Sequence, residues 1–66
     1  MKENAEAVIK NIDPKSLIRL RLFELGFIPG TIIRCISINP KLDTVVVRVR
    51  GATICLRTAE AAFIKI

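Results

Sequence analysis

The sequence predicts a mainly β domain: a small antiparallel barrel of about five strands, with one α-helix between strands 1 and 2. Three observations predict it. The chain has 66 residues, one domain spanning 1–66, and a chain of this size buries only about 60% of its unfolded surface. Its core must come from Ile, Val and Leu, because the aromatics are limited to Phe23, Phe27 and Phe63, and that β-branched excess favours strands. The apolar runs are joined by short connections, whereas parallel crossovers need a dozen or more linking residues.

Taken in order, Ala5 to Ile12 mixes small, β-branched and charged residues and reads as a first strand. Val8 and Ile9 are adjacent apolar residues, so either one points out of the core or a bulge lies there. Asp13-Pro14 then opens the helix, with Asp as N-cap and Pro at the first helical position. Ser16 is a competing cap that shortens the helix by one turn. At about 100° per residue, Leu17, Ile18, Leu22 and Leu25 share one apolar sector. Leu20 and Phe23 form a second, narrow stripe. A surface helix buries one stripe, so the second is covered either by other parts of this fold or by a partner.

The helix ends at Gly26, a residue suited to the left-handed stop. Pro29-Gly30 fits the two central positions of a type II turn, which launches the next strand, Thr31 to Ile38. With Arg34 facing water, Ile36 and Ile38 fall on the wrong side, and a bulge near Cys35-Ile36 reconciles the pattern. Asn39 to Asp43 is loop. Thr44 to Arg50 alternates, with Val45, Val47 and Val49 inward; Arg48 and Arg50 face out. Gly51 supplies a positive φ in a tight connection to a strand that holds Ile54 and Leu56 inward and Thr53, Cys55 and Arg57 outward. Thr58 caps one turn, Ala59-Glu60-Ala61, before a last strand, Ala62 to Ile66. Strands this short cannot all bury one face in a flat sheet, and open edges invite aggregation. Curling into a barrel answers both problems, and the expected architecture is a small SH3-like barrel.

Composition excludes several classes. No window approaches the ~18 apolar residues of a membrane-spanning helix, and the N-terminal Lys2, Glu3 and Glu6 do not form a signal peptide, so a cytoplasmic location is expected. Cys35 and Cys55 are too few for a disulfide scaffold, and opposite facings argue against a bridge. With no histidine in the chain, neither a metal centre nor a nucleophile–base pair can be nominated; no cofactor and no catalytic residue are expected. The net charge of +5 supports attraction to nucleic acid, anionic lipid or an acidic partner alike.

Arg21-Leu22 followed by Leu25-Gly26-Phe27-Ile28-Pro29-Gly30 resembles the R-L-x-x-L-G-apolar-x-P-G signature of the FeoA family. Val49-Arg50-Gly51, Leu56-Arg57 and Glu60-Ala61 with Ile64 are similar to that family's closing motif. The matches run from about Arg19 to the end of the chain. Two departures accompany them. Met1 to Asn4 stand where the family's longer L-x-x-L-x-x-G lead-in is usual, and Pro40-Lys41-Leu42-Asp43 lacks the glycine of a Pro-Leu-Gly-Asp run.

The resemblance implies an SH3-like barrel, without enzymatic activity, that serves bacterial ferrous-iron transport beside FeoB, a membrane permease with a cytoplasmic G-protein domain. The expected role is a non-catalytic adaptor that binds that domain and modulates its nucleotide cycle or assembly. The expected contact surface is Leu20, Phe23, Phe27 and Ile28 with Arg48, Arg50 and Arg57, while Gly26, Pro29, Gly30 and Gly51 are structural. Self-association through the Leu20/Phe23 stripe or a barrel edge is also expected. The alternative is a small basic barrel that binds nucleic acid, but the chain has no Tyr or Trp to provide stacking platforms. A repressor-type module would need a helix-turn-helix for which the chain has no room.

Overall fold

The computed structural model describes residues 2–66. Six short strands and two short helices follow in the order β1 (Glu6–Val8), β2 (Asn11–Ile12), α1 (Arg19–Leu25), β3 (Ile32–Asn39), β4 (Thr44–Val49), β5 (Ala52–Arg57), α2 (Thr58–Ala61) and β6 (Ile64–Lys65). All pairings are antiparallel: β1-β3-β4-β5 form one sheet, and β2 pairs with β6 in another. The mainly β expectation holds, in two small sheets and with α1 between β2 and β3.

The expected first strand is divided in two. Val8 points out and Ile9 is buried. At Ile9 the chain leaves the first sheet: its N–H donates to the Thr31 carbonyl at 2.9 Å, and its carbonyl accepts from the Gly30 N–H at 2.7 Å. One residue later the Lys10 N–H donates to Lys65 at 2.7 Å, which starts the β2–β6 pair. Adjacent apolar residues on opposite faces thus mark the passage between the two sheets.

The helix begins later than either cap suggests. The Asp13 side chain accepts the Lys15 N–H at 2.9 Å, as an N-cap would, and the Ser16 N–H closes the turn on the Asp13 carbonyl at 3.0 Å. That turn does not propagate. Ser16, nearly buried, turns its hydroxyl oxygen to the Ile18 N–H at 3.3 Å and offers the chain a local alternative to helix. The first i→i+4 bond of the helix is Leu22 N–H to the Ile18 carbonyl, at 2.8 Å. Of the expected apolar sector only Leu22 is fully buried; Leu17 stands free in solvent before the helix starts.

The exit from α1 follows the expected geometry closely. Gly26 has φ +109°; its N–H donates to the Phe23 carbonyl at 3.1 Å, and the Phe27 N–H donates to Leu22 at 2.9 Å. These are the two bonds of a Schellman stop, and its accompanying apolar pair, Leu22 and Phe27, is wholly buried. The Thr31 N–H donates to Ile28 at 3.0 Å across Pro29-Gly30, and Gly30 at φ +92° completes the type II turn.

In the main sheet the register shifts between Cys35 and Ser37, the site expected for a bulge. The shift turns Ile38 toward the core and leaves Ile36 at the surface. Val45, Val47 and Val49 are buried from β4, and Leu56 from β5. Arg50-Gly51, at φ +51° and +82°, makes a two-residue hairpin loop of the I′ kind between the paired Val49 and Ala52. In the β3–β4 loop, Asp43 takes φ +55°, and the Asn39 side chain accepts the N–H groups of Lys41 and Leu42 at 3.1 and 3.2 Å. Leu42 stands where the glycine is missing and takes no positive φ; the left-handed residue of the loop is Asp43, a type that tolerates that region.

Thr58 does not cap α2. Arg57 occupies the cap position, and the Glu60 carboxylate reaches back to accept its N–H at 2.9 Å. The last strand is shorter than expected, with Ile64 buried and Ile66 about half exposed. One core joins both sheets and the helix: Ile12 and Ile64 close it at the β2–β6 pair, and Leu22 and Phe27 fill it from above.

Candidate functional site

Two surfaces follow from the residues expected to meet a partner, and the fold separates them. On α1, Leu20 is 72% exposed, and Leu17 one turn earlier is also free. Phe23 is half-buried: one side packs on the core, and the Arg19 guanidinium lies 5.0 Å from its ring centroid on the other. That stacking is a cation–π contact. Ile28, 41% exposed, lies beyond the helix stop. Phe27 corrects the expectation: it is 0% exposed, because the Schellman stop points it inward against Leu22. Its aromatic surface belongs to the core. Among these apolar residues Leu20 offers the most.

The arginines do not gather. Arg48 lies on the outer face of β4 directly opposite Arg34 of β3, with Glu6 of β1 opposite Arg34 on the other side. Like charges in a cross-strand pair repel, and Arg34 is a contributor that the sequence marked only as facing water. Arg50 sits in the hairpin loop, its stem folded over Gly26: a Cβ at Gly26 would stand 3.2 Å from the Arg50 Cδ. Arg57 closes the opposite end of β5, paired with Thr44. At about 3.3 Å per residue the two ends of that strand are roughly 17 Å apart. The exposed basic set is therefore an Arg34/Arg48 pair with one arginine at each end of the hairpin.

Of the expected structural glycines, Gly26 and Gly51 are brought to neighbouring turns, since Arg50 bridges from one to the other. The two stretches Leu25-Gly26 and Val49-Arg50-Gly51, distant in sequence, form one junction between the helix exit and the β4–β5 hairpin.

Recesses open on the surface among the described residues. One, of about 370 Å³, lies between the turn before α1 and α2, with Leu17, Ile18 and Phe63 in its lining. A second, of about 400 Å³, is lined by Ile38, Val45 and Ile64. A third runs between α1 and β5, at about 110 Å³. None of the residues expected to contact a partner lines any of them. Cys35 is buried and Cys55 exposed, both as free thiols. Among the described residues no three His, Cys, Asp or Glu side chains gather to hold a metal ion, and no helix is long and apolar enough to cross a membrane.

Comparison with known proteins gives a consistent neighbourhood. The FeoA domain family model matches residues 1–66. A FeoA-like protein from Clostridium acetobutylicum superimposes with a TM-score of 0.85 at 28% identity, over 97% of this chain and 74% of that one. Iron(II) transport protein A from Clostridium thermocellum gives a TM-score of 0.87 at 28% identity; this chain is covered over 98% but spans only 40% of that protein's length. FeoA from Stenotrophomonas maltophilia, solved in complex with zinc, gives a TM-score of 0.84 at 26% identity, over 97% and 80%. It is described as a prokaryotic SH3 domain protein and a candidate ferrous iron transport activating factor. No curated protein matches by sequence.

Proposed function

The chain belongs to the FeoA family, and from that premise we propose that it is a non-catalytic accessory protein of bacterial ferrous-iron uptake. It acts in the cytoplasm by binding the G-protein domain of a FeoB-type permease and modulating that domain's nucleotide cycle or assembly. Its two sheets make up one SH3-like barrel, a reading supported by a relative described as a prokaryotic SH3 domain protein. The observation that carries the binding role is the exposed apolar ridge of Leu17 and Leu20 beside the Arg19-covered Phe23. A small domain that leaves two leucines this open, Leu20 on α1 and Leu17 just before it, has a use for them, since exposed apolar patches commonly mark partner surfaces. The Arg34/Arg48 pair and Arg57 add charge that steers an acidic partner toward the domain.

Leu20→Glu tests the ridge. A substitution at so exposed a position shifts stability by no more than about 0.5 kcal/mol, while a charge set into an apolar contact lowers affinity roughly tenfold or more. Capture of the permease G-domain, with GDP and with a GTP analogue at low salt, reads the result. Undiminished capture by Leu20→Glu removes the ridge from the interface. No capture by the unaltered chain in either nucleotide state overturns the proposal itself.

A further inference from the structure

We infer that the free edge of β5 is a docking strand, which receives an extended acidic segment of a partner protein as a fifth strand of the main sheet. The inference rests on the reading that this chain works by binding a protein, and it names the manner of recognition.

The hairpin register determines which backbone groups are free. Val49 and Ala52 flank a two-residue loop and exchange hydrogen bonds, so Ile54 and Leu56 also bond to β4. Thr53, Cys55 and Arg57 therefore turn their N–H and C=O groups away from the sheet. The Arg57 N–H is taken by the Glu60 carboxylate at 2.9 Å. Thr53 and Cys55 have no such partner: neither donates or accepts any further bond among the described residues. Two consecutive open rungs remain, bounded by the hairpin loop at one end and by the Glu60 cap at the other. They can give an incoming strand up to four main-chain hydrogen bonds.

Edge strands are usually blunted by shortness, charge, proline or a bulge. The opposite edge follows that rule: β1 has three residues, and Glu6 is one of its two outward-facing groups. The β5 edge does not. It has six residues, Ala-Thr-Ile-Cys-Leu-Arg, in continuous register, with no proline and no charge before Arg57.

The groove beside that edge selects the occupant. It runs between α1 and β5, with Ile18, Leu25 and Leu56 in its apolar lining and Arg21, Cys55 and Glu60 at its rim, the Glu60 carboxylate being already engaged by the Arg57 N–H. Its volume of about 110 Å³ is a few times the roughly 30 Å³ share of one water molecule. Such a slot takes single side chains from an extended strand and has no room for a helix. Arg21 has no acid within ion-pair distance; among the described residues the one salt bridge joins Lys65 and Asp13. A carboxylate on the incoming strand supplies the missing partner. Main-chain pairing with alternate side chains in pockets is the mode known as β-augmentation.

The test is amide hydrogen exchange on the isotope-labelled full chain. Free, it should show fast exchange at Thr53 and Cys55 and slow exchange at Ile54 and Leu56. The probe is a set of seven-residue peptides that alternate threonine with valine or leucine and carry aspartate at one end. Their addition should slow exchange at Thr53 and Cys55 at least tenfold, and peptides N-methylated on the pairing edge should lose the effect. Cys55→Pro should also abolish it, since a proline whose missing N–H faces outward leaves the β4 ladder intact; the N-methyl peptides decide the matter should that variant not fold. No slowing with any peptide overturns the inference, and so does slowing that grows with the chain's own concentration alone, which assigns the edge to a second copy. Permease capture separates the two readings. Capture that persists in Cys55→Pro removes the edge strand while the accessory role stands, and peptide binding without permease capture does the reverse.

Discussion

Phe27→Ala should leave the chain without a cooperative unfolding transition at 25 °C, while Phe27→Leu should still fold. Phe27 is among the largest fully buried side chains, and it sits where the Schellman stop, Leu22 and the β-sheet core meet. Truncating a buried phenylalanine to alanine costs about 3–5 kcal/mol, part of it from the cavity left behind. A core of this size supplies about 3–5 kcal/mol in total, so the loss consumes most of the margin. A leucine restores much of the volume, at a cost of around 1.5 kcal/mol. Urea titration followed by far-UV circular dichroism reads both variants. The contrast with α1 is informative: Leu20→Glu should alter binding and leave the transition in place. If Phe27→Ala instead unfolded cooperatively within 1 kcal/mol of the parent and lost only its partner, Phe27 would be a contact residue after all.

Much of the fold was legible because punctuation and period agreed. Gly26, Pro29-Gly30 and Gly51 each sit at a positive φ or next to one, and each was readable from backbone sterics alone. The alternation of Val45, Val47 and Val49 settled the facing of β4, and the mismatch of Ile36 and Ile38 located the bulge. The failures came where local signals competed with tertiary demands. Asp13 does make its capping bond, yet the turn it caps is stopped by a buried serine that bonds Ile18. The adjacent apolar pair Val8-Ile9 signalled an irregularity in the first strand, but that the chain changes sheets there shows only in the bonds of Ile9 to Gly30 and Thr31. The α2 helix starts one residue earlier than a Thr58 cap would place it, with Arg57 at the cap position and the Glu60 carboxylate reaching back to accept its N–H.

The candidate surface was less legible than the scaffold. Helical spacing placed Leu20 and Phe23 on one stripe, but it could not foresee that Arg19 covers the Phe23 ring. Phe27, expected in the contact surface with Leu20, Phe23 and Ile28, is carried inward by the 6→1 bond to Leu22. Arg48, Arg50 and Arg57 share an outward phase on paper, but strand length separates Arg50 from Arg57, and register gives Arg48 a different neighbour, Arg34. The Thr53 and Cys55 rungs had no sequence signature at all, since edge position emerges only from the strand order.

Gly26→Ala should lower the midpoint of thermal unfolding by roughly 8–16 °C. An L-residue in the left-handed region costs about 1–2 kcal/mol, and φ +109° lies well beyond the small left-handed basin that L-residues tolerate. The added methyl also meets the Arg50 Cδ at 3.2 Å, close enough that the side chain must give way. Together these amount to about 2 kcal/mol, and in a domain this small each kcal/mol moves the midpoint by about 4–8 °C. The two contributions separate by experiment. Arg50→Ala removes the contact but not the backbone demand, so Gly26→Ala should cost less in that background by a few tenths of a kcal/mol. A D-alanine at position 26, introduced by chemical synthesis, favours positive φ and should keep stability within about 0.5 kcal/mol of the parent. If the D-residue destabilised as much as the L-residue, the requirement at Gly26 would be one of space beneath Arg50 rather than of φ. The helix exit and the β4–β5 hairpin would then be joined chiefly by that arginine's stem.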